Sequence, residues 1–486
     1  MFKNKKVLIF GLGILGGGLA SVEYFIKHRA ILRITDLKTK DKLDQEIKKI
    51  NRIAQKYNYD KKIVYILGKH RKEDFDWSNI VVVNPAISYK NEFVRYALKR
   101  GKLVINDCYL FFKNSQGELI ALTGTRGKTT TTYLIYQLFK NFISKKIFLA
   151  GNQPDKSLLK IIDKTTPNSI SILELSSFQL EFYQKNLKAP KIAIITNIYE
   201  DHLNRYQNME EYAKIKAKIF SNQNKDDFLI LNYDNPWIKY FLSLKPKSKI
   251  YFISFKELPS LLNGLFIKNN YLLFRNAYSE SKINLNIKKI IKNIGKHNLS
   301  NLMIALLTLI IFSEYKGIKL NKNRLKDVYK ILSFPSFRQE LIYKNKNLII
   351  INDSASTAPQ ATLEAINRFF KKNINLILII GGTDKNLDYQ ELSTLIKQKI
   401  KNKNLIILQG SASNKIIAEL KKLKYNLDES QIFNNLSECT QRALQLVKKN
   451  KKNIILFSPA AASFEKFKNE FDRGEKFNQL IKNFLK

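Results

Sequence analysis

A chain of 486 residues is too long for one compact core and corresponds to about three domains of ordinary size. Hydrophobic residues make up 44% of it, yet no apolar run approaches the ~20 residues that a membrane span requires, and the basic start Met1-Phe2-Lys3-Asn4-Lys5-Lys6 leads into a glycine-rich turn without the cleavage site of a signal peptide. A cytoplasmic chain with no membrane insertion is expected. A net charge of +43 invites a nucleic-acid partner, but the lysines are spread along the whole length with no aromatic-interleaved basic module, so solvated lysine faces and no nucleic acid are expected. The two cysteines, Cys108 and Cys439, have no neighbours at metal-ligand spacing, which argues against a disulfide framework or a structural zinc site.

The recurring pattern is a short apolar run, a small-residue turn and an amphipathic stretch, the signature of βα units building mostly parallel sheets. The first predicted strand, Lys6 to Phe10, ends at Gly11-Leu12-Gly13-Ile14-Leu15-Gly16, a G-x-G-x-x-G turn, and Asp36 closes the next, Ile31 to Ile34. That motif suits a dinucleotide, so a dehydrogenase is one reading; beside an ATP loop elsewhere in the chain, a nucleotide-diphosphate substrate fits better. A domain break is expected near Phe111-Phe112-Lys113-Asn114, before a fresh strand, Leu119 to Leu122. Gly124-Thr125-Arg126-Gly127-Lys128-Thr129-Thr130 follows that strand and opens a helix, as a phosphate loop does, although its glycines are spaced more closely than in G-x-x-x-x-G-K-[ST]. Glycines admit backbone N–H groups to the phosphates, Lys128 neutralises their charge and the Thr129 hydroxyl can ligate Mg²⁺.

Glu174 ends the run Ile170 to Leu173 and opens Glu174-Leu175-Ser176-Ser177-Phe178-Gln179-Leu180, where its carboxylate is a hard oxygen ligand for Mg²⁺. A second polar cluster, Thr196-Asn197-Ile198-Tyr199-Glu200-Asp201-His202-Leu203-Asn204-Arg205-Tyr206, offers His202 as a further ligand or polar contact. Lys216, four residues after Tyr212, reads from its residues alone as a solvated helix lysine. A second break is expected near Ser333-Phe334-Pro335, followed by strands Leu376 to Ile380 before Gly381 and Ile454 to Phe457 before Ser458. The expected architecture is α/β in three domains: a Rossmann-like N-terminal domain (1–112), a central P-loop ATPase-type domain with a mostly parallel sheet (113–334) and a Rossmann-like C-terminal domain (335–486).

Taken together, these segments resemble the Mur ligase family, and within it the branch that adds D-glutamate during peptidoglycan synthesis. Its G-T-x-G-K-T/S, N-I-x-x-D-H and H-N-x-x-N segments are matched by Gly124 to Thr129, Asn197 to His202 and His297 to Asn301. The E-L-S-S-F-Q-L string typical of the D-glutamate branch stands unchanged at Glu174 to Leu180, and Ser458-Pro459-Ala460-Ala461-Ala462-Ser463-Phe464 with Phe467-Lys468 and Arg473-Gly474 resembles its C-terminal segments. The resemblance implies a monomeric ligase that uses ATP and two Mg²⁺ ions to join UDP-N-acetylmuramoyl-L-alanine to D-glutamate through an acyl phosphate. It implies Gly124 to Thr130, Asn301, Arg338 and Asp353 at ATP, with Lys128, His202 and Lys216 catalytic. Thr129, Glu174, His202 and a carbamylated Lys216 would serve the metals. Gly13, Ile14, Leu15, Asp36 and Asn152 would contact the UDP substrate, and Thr357, Lys385, Ser463 and Phe464 D-glutamate.

Three departures bear on this. Asn352-Asp353-Ser354-Ala355-Ser356-Thr357-Ala358 lacks a lysine that the family carries at Ala355, the usual His-Arg pair reads Phe337-Arg338, and a G-G-N-I-G segment reads Ala150-Gly151-Asn152-Gln153-Pro154. Folylpolyglutamate-type ligases share the overall plan but not the E-L-S-S-F-Q-L string, and a nucleic-acid-stimulated ATPase is the reading from outside the ligases.

Overall fold

A computed structural model describes residues 2–13, 17–151, 156–321, 325, 328 and 332–485. Its strands fall into three sheets. The first comprises β1 (Lys6–Phe10), β2 (Ile31–Asp36), β3 (Val64–Leu67), β4 (Ile80–Val83) and β5 (Leu103–Ile105) in the order β3-β2-β1-β4-β5, all parallel. The direction of winding reverses between β1 and β4, which opens a crevice at the carboxyl end of β1, where the glycine turn begins. Val7 and Ile9 of β1 enter one apolar cluster while Leu8 and Phe10 enter another. Burial on both faces explains why such strands read as continuous apolar runs.

The second sheet is built from β6 (Glu118–Thr123), β7 (Lys146–Gly151), β8 (Ser169–Glu174), β9 (Ile192–Ile195), β10 (Phe228–Asn232), β11 (Lys249–Ser254), β12 (Gly264–Lys268), β13 (Tyr271–Arg275) and β14 (Glu280–Ile283). Their order is β14-β13-β12-β11-β10-β9-β6-β8-β7, parallel from β7 to β12 and antiparallel at the last two pairings. Here β6 lies between β8 and β9, so the phosphate loop, Glu174 and Thr196 leave three adjacent strands at the same end.

The helix Lys128–Phe142 packs against Lys296–Tyr315, with Phe139 and Phe312 5.1 Å apart between ring centres. The latter helix corrects the expectation that no stretch is long and apolar enough to span a membrane: Asn298–Tyr315 passes that test, but 83% of it is buried inside the fold. The break expected near residue 112 falls within a helix, Asp107–Asn114, whose Phe111 and Phe112 are buried.

The chain separates into two compact units, Met1–Leu332 and Ser333–Lys486. The second holds the third sheet: β15 (Glu340–Lys344), β16 (Leu348–Asn352), β17 (Ile374–Ile380), β18 (Leu405–Leu408), β19 (Ile432–Phe433) and β20 (Lys452–Phe457), ordered β15-β16-β20-β17-β18-β19. Only β15 is antiparallel. Leu376, Leu378 and Ile380 fill one side of this sheet, and Ile377 and Ile379 the other. Mixed α/β layers around parallel-dominated sheets are the architecture the sequence pattern implies.

Candidate active site

The phosphate loop owes its shape to two glycines that cannot bear a side chain. Gly127, at φ 78°, caps the helix Lys128–Phe142, and a Cβ there would lie 2.4 Å from Asn301 Oδ1; at Gly124 it would lie 1.9 Å from Thr196 Oγ1. The Asn301 amide oxygen accepts from the Thr131 hydroxyl at 3.0 Å, so Asn301 braces the first turn of the helix. Asn197 holds the loop from the other side: its Oδ1 accepts from Arg126 N at 2.9 Å and its Nδ2 donates to Arg126 O at 3.1 Å. Thr130 is buried and Arg126 is exposed, its guanidinium 5.2 Å from the Tyr199 ring. The ammonium of Lys128 folds back, donating to the carbonyls of Gly124 and Thr125 at 2.9 Å each. Lys128 is therefore half-buried and engaged.

Thr129 Oγ1 donates to Glu174 Oε1 at 3.1 Å, which puts two hard oxygen donors at the mouth of the loop. Lys216 is 1% exposed and donates to Gly124 O at 2.9 Å, with its ammonium 4.6 Å from the centre of the Tyr212 ring. This overturns the residue-only reading of a solvated helix lysine: Lys216 lies near the end of the helix Met209–Ala217, which turns that residue inward under the loop. Burial drives its pKa well below the ordinary lysine range; repulsion from Lys128 adds to the shift and Asp201 opposes it. His202 stands at φ 57°, a left-handed conformation that a non-glycine residue keeps only when its surroundings impose it. The His202 ring is 4.8 Å from Phe178 and 6.1 Å from Tyr212.

Most of the E-L-S-S-F-Q-L string is structural. Ser176 and Gln179 form a capping box, and Gln179 Nε2 donates to Asp107 Oδ2 at 2.9 Å, while Glu174 meets Thr129 and the Phe178 ring adjoins His202. At the N-terminal glycine turn, Gly13 N donates to Asp36 Oδ2 at 3.0 Å and Lys38 N to Asp36 Oδ1 at 2.9 Å. Asp36 thus shapes the turn itself. The close approach of the helix to the turn falls to Gly18, where a Cβ would meet Leu12 O at 2.1 Å. Ile14, Leu15 and Asn152 lie outside the described residues.

In the C-terminal unit, three loops at the carboxyl ends of β16, β17 and β20 converge. Thr383 pairs with Ala462 in an isolated bridge, and the fully buried Arg473 donates to Ser354 O, Ala461 O and Ala462 O at 2.7–3.0 Å. Ser463 is buried here, and its hydroxyl has no hydrogen-bond partner among the described residues. Thr357 is half-buried; Lys385 and Phe464 are exposed. Ala355 is buried, its N–H donating to Phe337 O at 2.9 Å. Arg338 is half-buried beside Phe337, which sits at φ 64°.

Asp353 Oδ2 accepts from the Ser458 hydroxyl at 2.7 Å and its Oδ1 from Gln339 N at 3.0 Å, yet burial raises its pKa from 3.8 to about 7. A carboxyl held protonated in the fold loses stability as pH rises through the interval between those two values, because the unfolded chain ionises first. The melting temperature of Asp353→Asn, measured from pH 5 to 8 without ligands, should fall less steeply with pH than that of the unmodified protein; parallel profiles would exclude this role.

Among known proteins, the Mur ligase middle domain matches residues 122–309 and the Mur ligase MurD-like N-terminal domain residues 5–106. A UDP-N-acetylmuramoylalanine–D-glutamate ligase of Borreliella afzelii is 35% identical over 99% of this chain and 98% of its own length, and the protein of that name from Clostridioides difficile is 33% identical over 99% of both. The chain belongs to the Mur ligase family, on its MurD-like branch. It is accordingly an ATP-dependent ligase that forms carbon–nitrogen bonds. Among solved structures, the UDP-N-acetylmuramoylalanyl-D-glutamyl-2,6-diaminopimelate–D-alanyl-D-alanyl ligase of Acinetobacter baumannii shares the fold, with a TM-score of 0.56 at 14% identity over 94% of this chain and 92% of that one.

As a Mur ligase the chain handles a triphosphate, and its donors suit Mg²⁺. No group of three His, Cys, Asp or Glu side chains forms a metal site by itself among the described residues. Mg²⁺ in phosphoryl-transfer sites keeps waters and takes phosphate oxygens, so one carboxylate beside a hydroxyl, as at Glu174 and Thr129, meets its needs. The sequence reading did not assign roles to Tyr212, Asn197, Asn298 or Thr123. Thr123 Oγ1 lies 3.4 Å from Lys216 Nζ, and Asn298 Oδ1 accepts from Asn301 Nδ2 at 3.0 Å. Such residues stand inside or beside recognisable motifs, but only the folded packing gives them a task.

Proposed function

We propose that this ligase adds D-glutamate to UDP-N-acetylmuramoyl-L-alanine in peptidoglycan precursor synthesis, acting as a cytoplasmic monomer. What carries the reading is the convergence of Thr129, Glu174, Lys128 and the buried amine of Lys216 on one phosphate loop, in a chain 35% identical over nearly its full length to a protein of that name. Residues 1–112 would hold the UDP substrate through Gly13, Ile14, Leu15 and Asp36, helped by Asn152 of residues 113–334. Residues 113–334 would hold the triphosphate, and the loops of residues 335–486 would take the amino acid.

The substrate carboxylate attacks the γ-phosphorus of ATP, the bond to the bridging oxygen breaks, and ADP leaves. Lys128 exchanges its loop carbonyls for phosphate oxygens and offsets the charge of the transferred group. Thr129, Glu174 and His202 would hold two Mg²⁺ ions, which polarise the phosphoryl oxygens when bound. The neutral amine of Lys216 can add CO₂ and lose a proton, giving a carbamate whose oxygens suit a hard cation as an ammonium does not. The D-glutamate amine then displaces phosphate from the acyl carbon, leaving the amide.

Phosphate release across a panel of UDP-muramoyl precursors and amino acids tests the assignment, which stands if UDP-N-acetylmuramoyl-L-alanine with D-glutamate gives the highest kcat/KM and falls if another pair does. Within the amino-acid loops, a dicarboxylate leaving water needs a cation and hydrogen bonds. Lys385, with the unpaired Ser463 hydroxyl and Thr357, would supply them. Lys385→Ala should raise the KM for D-glutamate by about tenfold or more while leaving that for ATP within about twofold; an effect on ATP alone would remove Lys385 from the glutamate site.

A further inference from the structure

Arg205 lies inside a recognised motif but takes no part in the chemistry just described. Its fork grips Glu181 through two 2.7 Å bonds, from Nε to Oε1 and from Nη2 to Oε2. The same guanidinium donates to Ala86 O at 2.9 Å and Ile87 O at 3.0 Å, and it lies 4.0 Å from the Phe178 ring, which itself adjoins His202. Glu181 is fully buried and also accepts from Tyr206 OH at 2.9 Å and Tyr89 N at 3.0 Å. A second tie joins the same loop to the helix that bears Lys216: Lys90 pairs with Glu211 at 2.7 Å, and Tyr89 OH donates to Glu211 at 3.1 Å.

The loop so held, Asn84 to Lys90, abuts the N-terminal glycine turn so closely that a Cβ on Gly11 would lie 2.8 Å from Ile87 Cδ1 and 3.0 Å from Asn84 Cβ. One planar cation therefore connects the turn on the first sheet with the His202 turn on the second. A bidentate guanidinium fixes direction as well as distance, which a lysine in its place would not do.

We propose that Arg205 is a positioning residue for phosphoryl transfer, holding the loop Asn84 to Lys90 so that a carboxylate on a substrate seated at the glycine turn meets the γ-phosphate at the phosphate loop. This rests on the assignment of those two turns to the UDP substrate and ATP. Misplacing reacting atoms by about 1 Å can cost about a hundredfold in rate. Arg205→Lys and Arg205→Ala should accordingly lower kcat by about ten- to a hundredfold, with the KM for ATP within about twofold of the unmodified enzyme, and added guanidinium ion should restore part of the Arg205→Ala loss.

Wild-type turnover of UDP-N-acetylmuramoyl-L-alanine with D-glutamate is measured alongside: its absence would refute the substrate assignment, whereas turnover left unchanged in folded Arg205 variants would refute the positioning role. A kcat loss that only follows the folded fraction, with no response to guanidinium, would equally overturn it. Should Arg205→Ala fail to fold, Arg205→Lys and Glu181→Gln, which keep side-chain volume, carry the same comparison; failure of all three to fold would assign the cluster to stability alone.

Discussion

Lys216→Ala is expected to lower the rate of amide formation by about a hundred- to a thousandfold or more, the cost of removing one electrostatic element from a preorganised, water-excluded site. The reason lies in where this amine stands. It is 1% exposed, bonded to the Gly124 carbonyl and repelled by Lys128, so its charged form is disfavoured and its nucleophilic form is available for carbamylation. An alanine removes both the amine and the anionic oxygens that a carbamate would offer a cation, while Tyr212 and Thr123 remain to line the space. Acetate or another small carboxylate should restore part of the activity by occupying that space. A folded Lys216→Ala enzyme of normal activity would assign the buried amine to packing, and loss of activity without carboxylate rescue would argue against the carbamate.

Lys128→Ala should reduce turnover by a similar factor, about a hundred- to a thousandfold, through a different cause. The ammonium donates to two loop carbonyls at 2.9 Å and is half-buried beside the loop. The fold should survive, with a melting temperature within a few degrees of the original; what is lost is the cation that meets charge spreading over the phosphoryl oxygens in the transition state. The decisive comparison is kcat against the KM for ATP. A fall mainly in kcat identifies transition-state stabilisation, a rise in KM alone identifies ground-state binding, and unchanged kinetics in a folded variant would take Lys128 out of the ATP site.

The amino-acid sequence alone determined the class of fold and the family. Alternating apolar runs and small-residue turns implied parallel sheets, because strands buried on both faces read as continuous apolar runs, as Val7 to Phe10 and Leu376 to Ile380 do. Gly124 and Gly127 were legible as a phosphate loop because only glycine tolerates their φ values and the approach of Thr196 and Asn301. The D-glutamate branch was legible because a run of seven residues, Glu174 to Leu180, keeps its order irrespective of the fold around it.

Only the tertiary structure decided which members of those motifs face the loop and which hold the frame. Gln179 and Ser176 cap a helix while Glu174 meets Thr129; Asp36 ties down backbone N–H groups; and Gly18 makes the close contact between its helix and the glycine turn. Lys216 shows the difference most clearly. On a helix of nine residues a lysine is solvated or buried according to the side that packs inward, and that side is set by Thr123, Gly124 and Tyr212, residues up to 93 positions away along the chain. Local sequence encodes local geometry, but the desolvation that disfavours the charged form of Lys216 comes from contacts that form only when distant strands and helices meet.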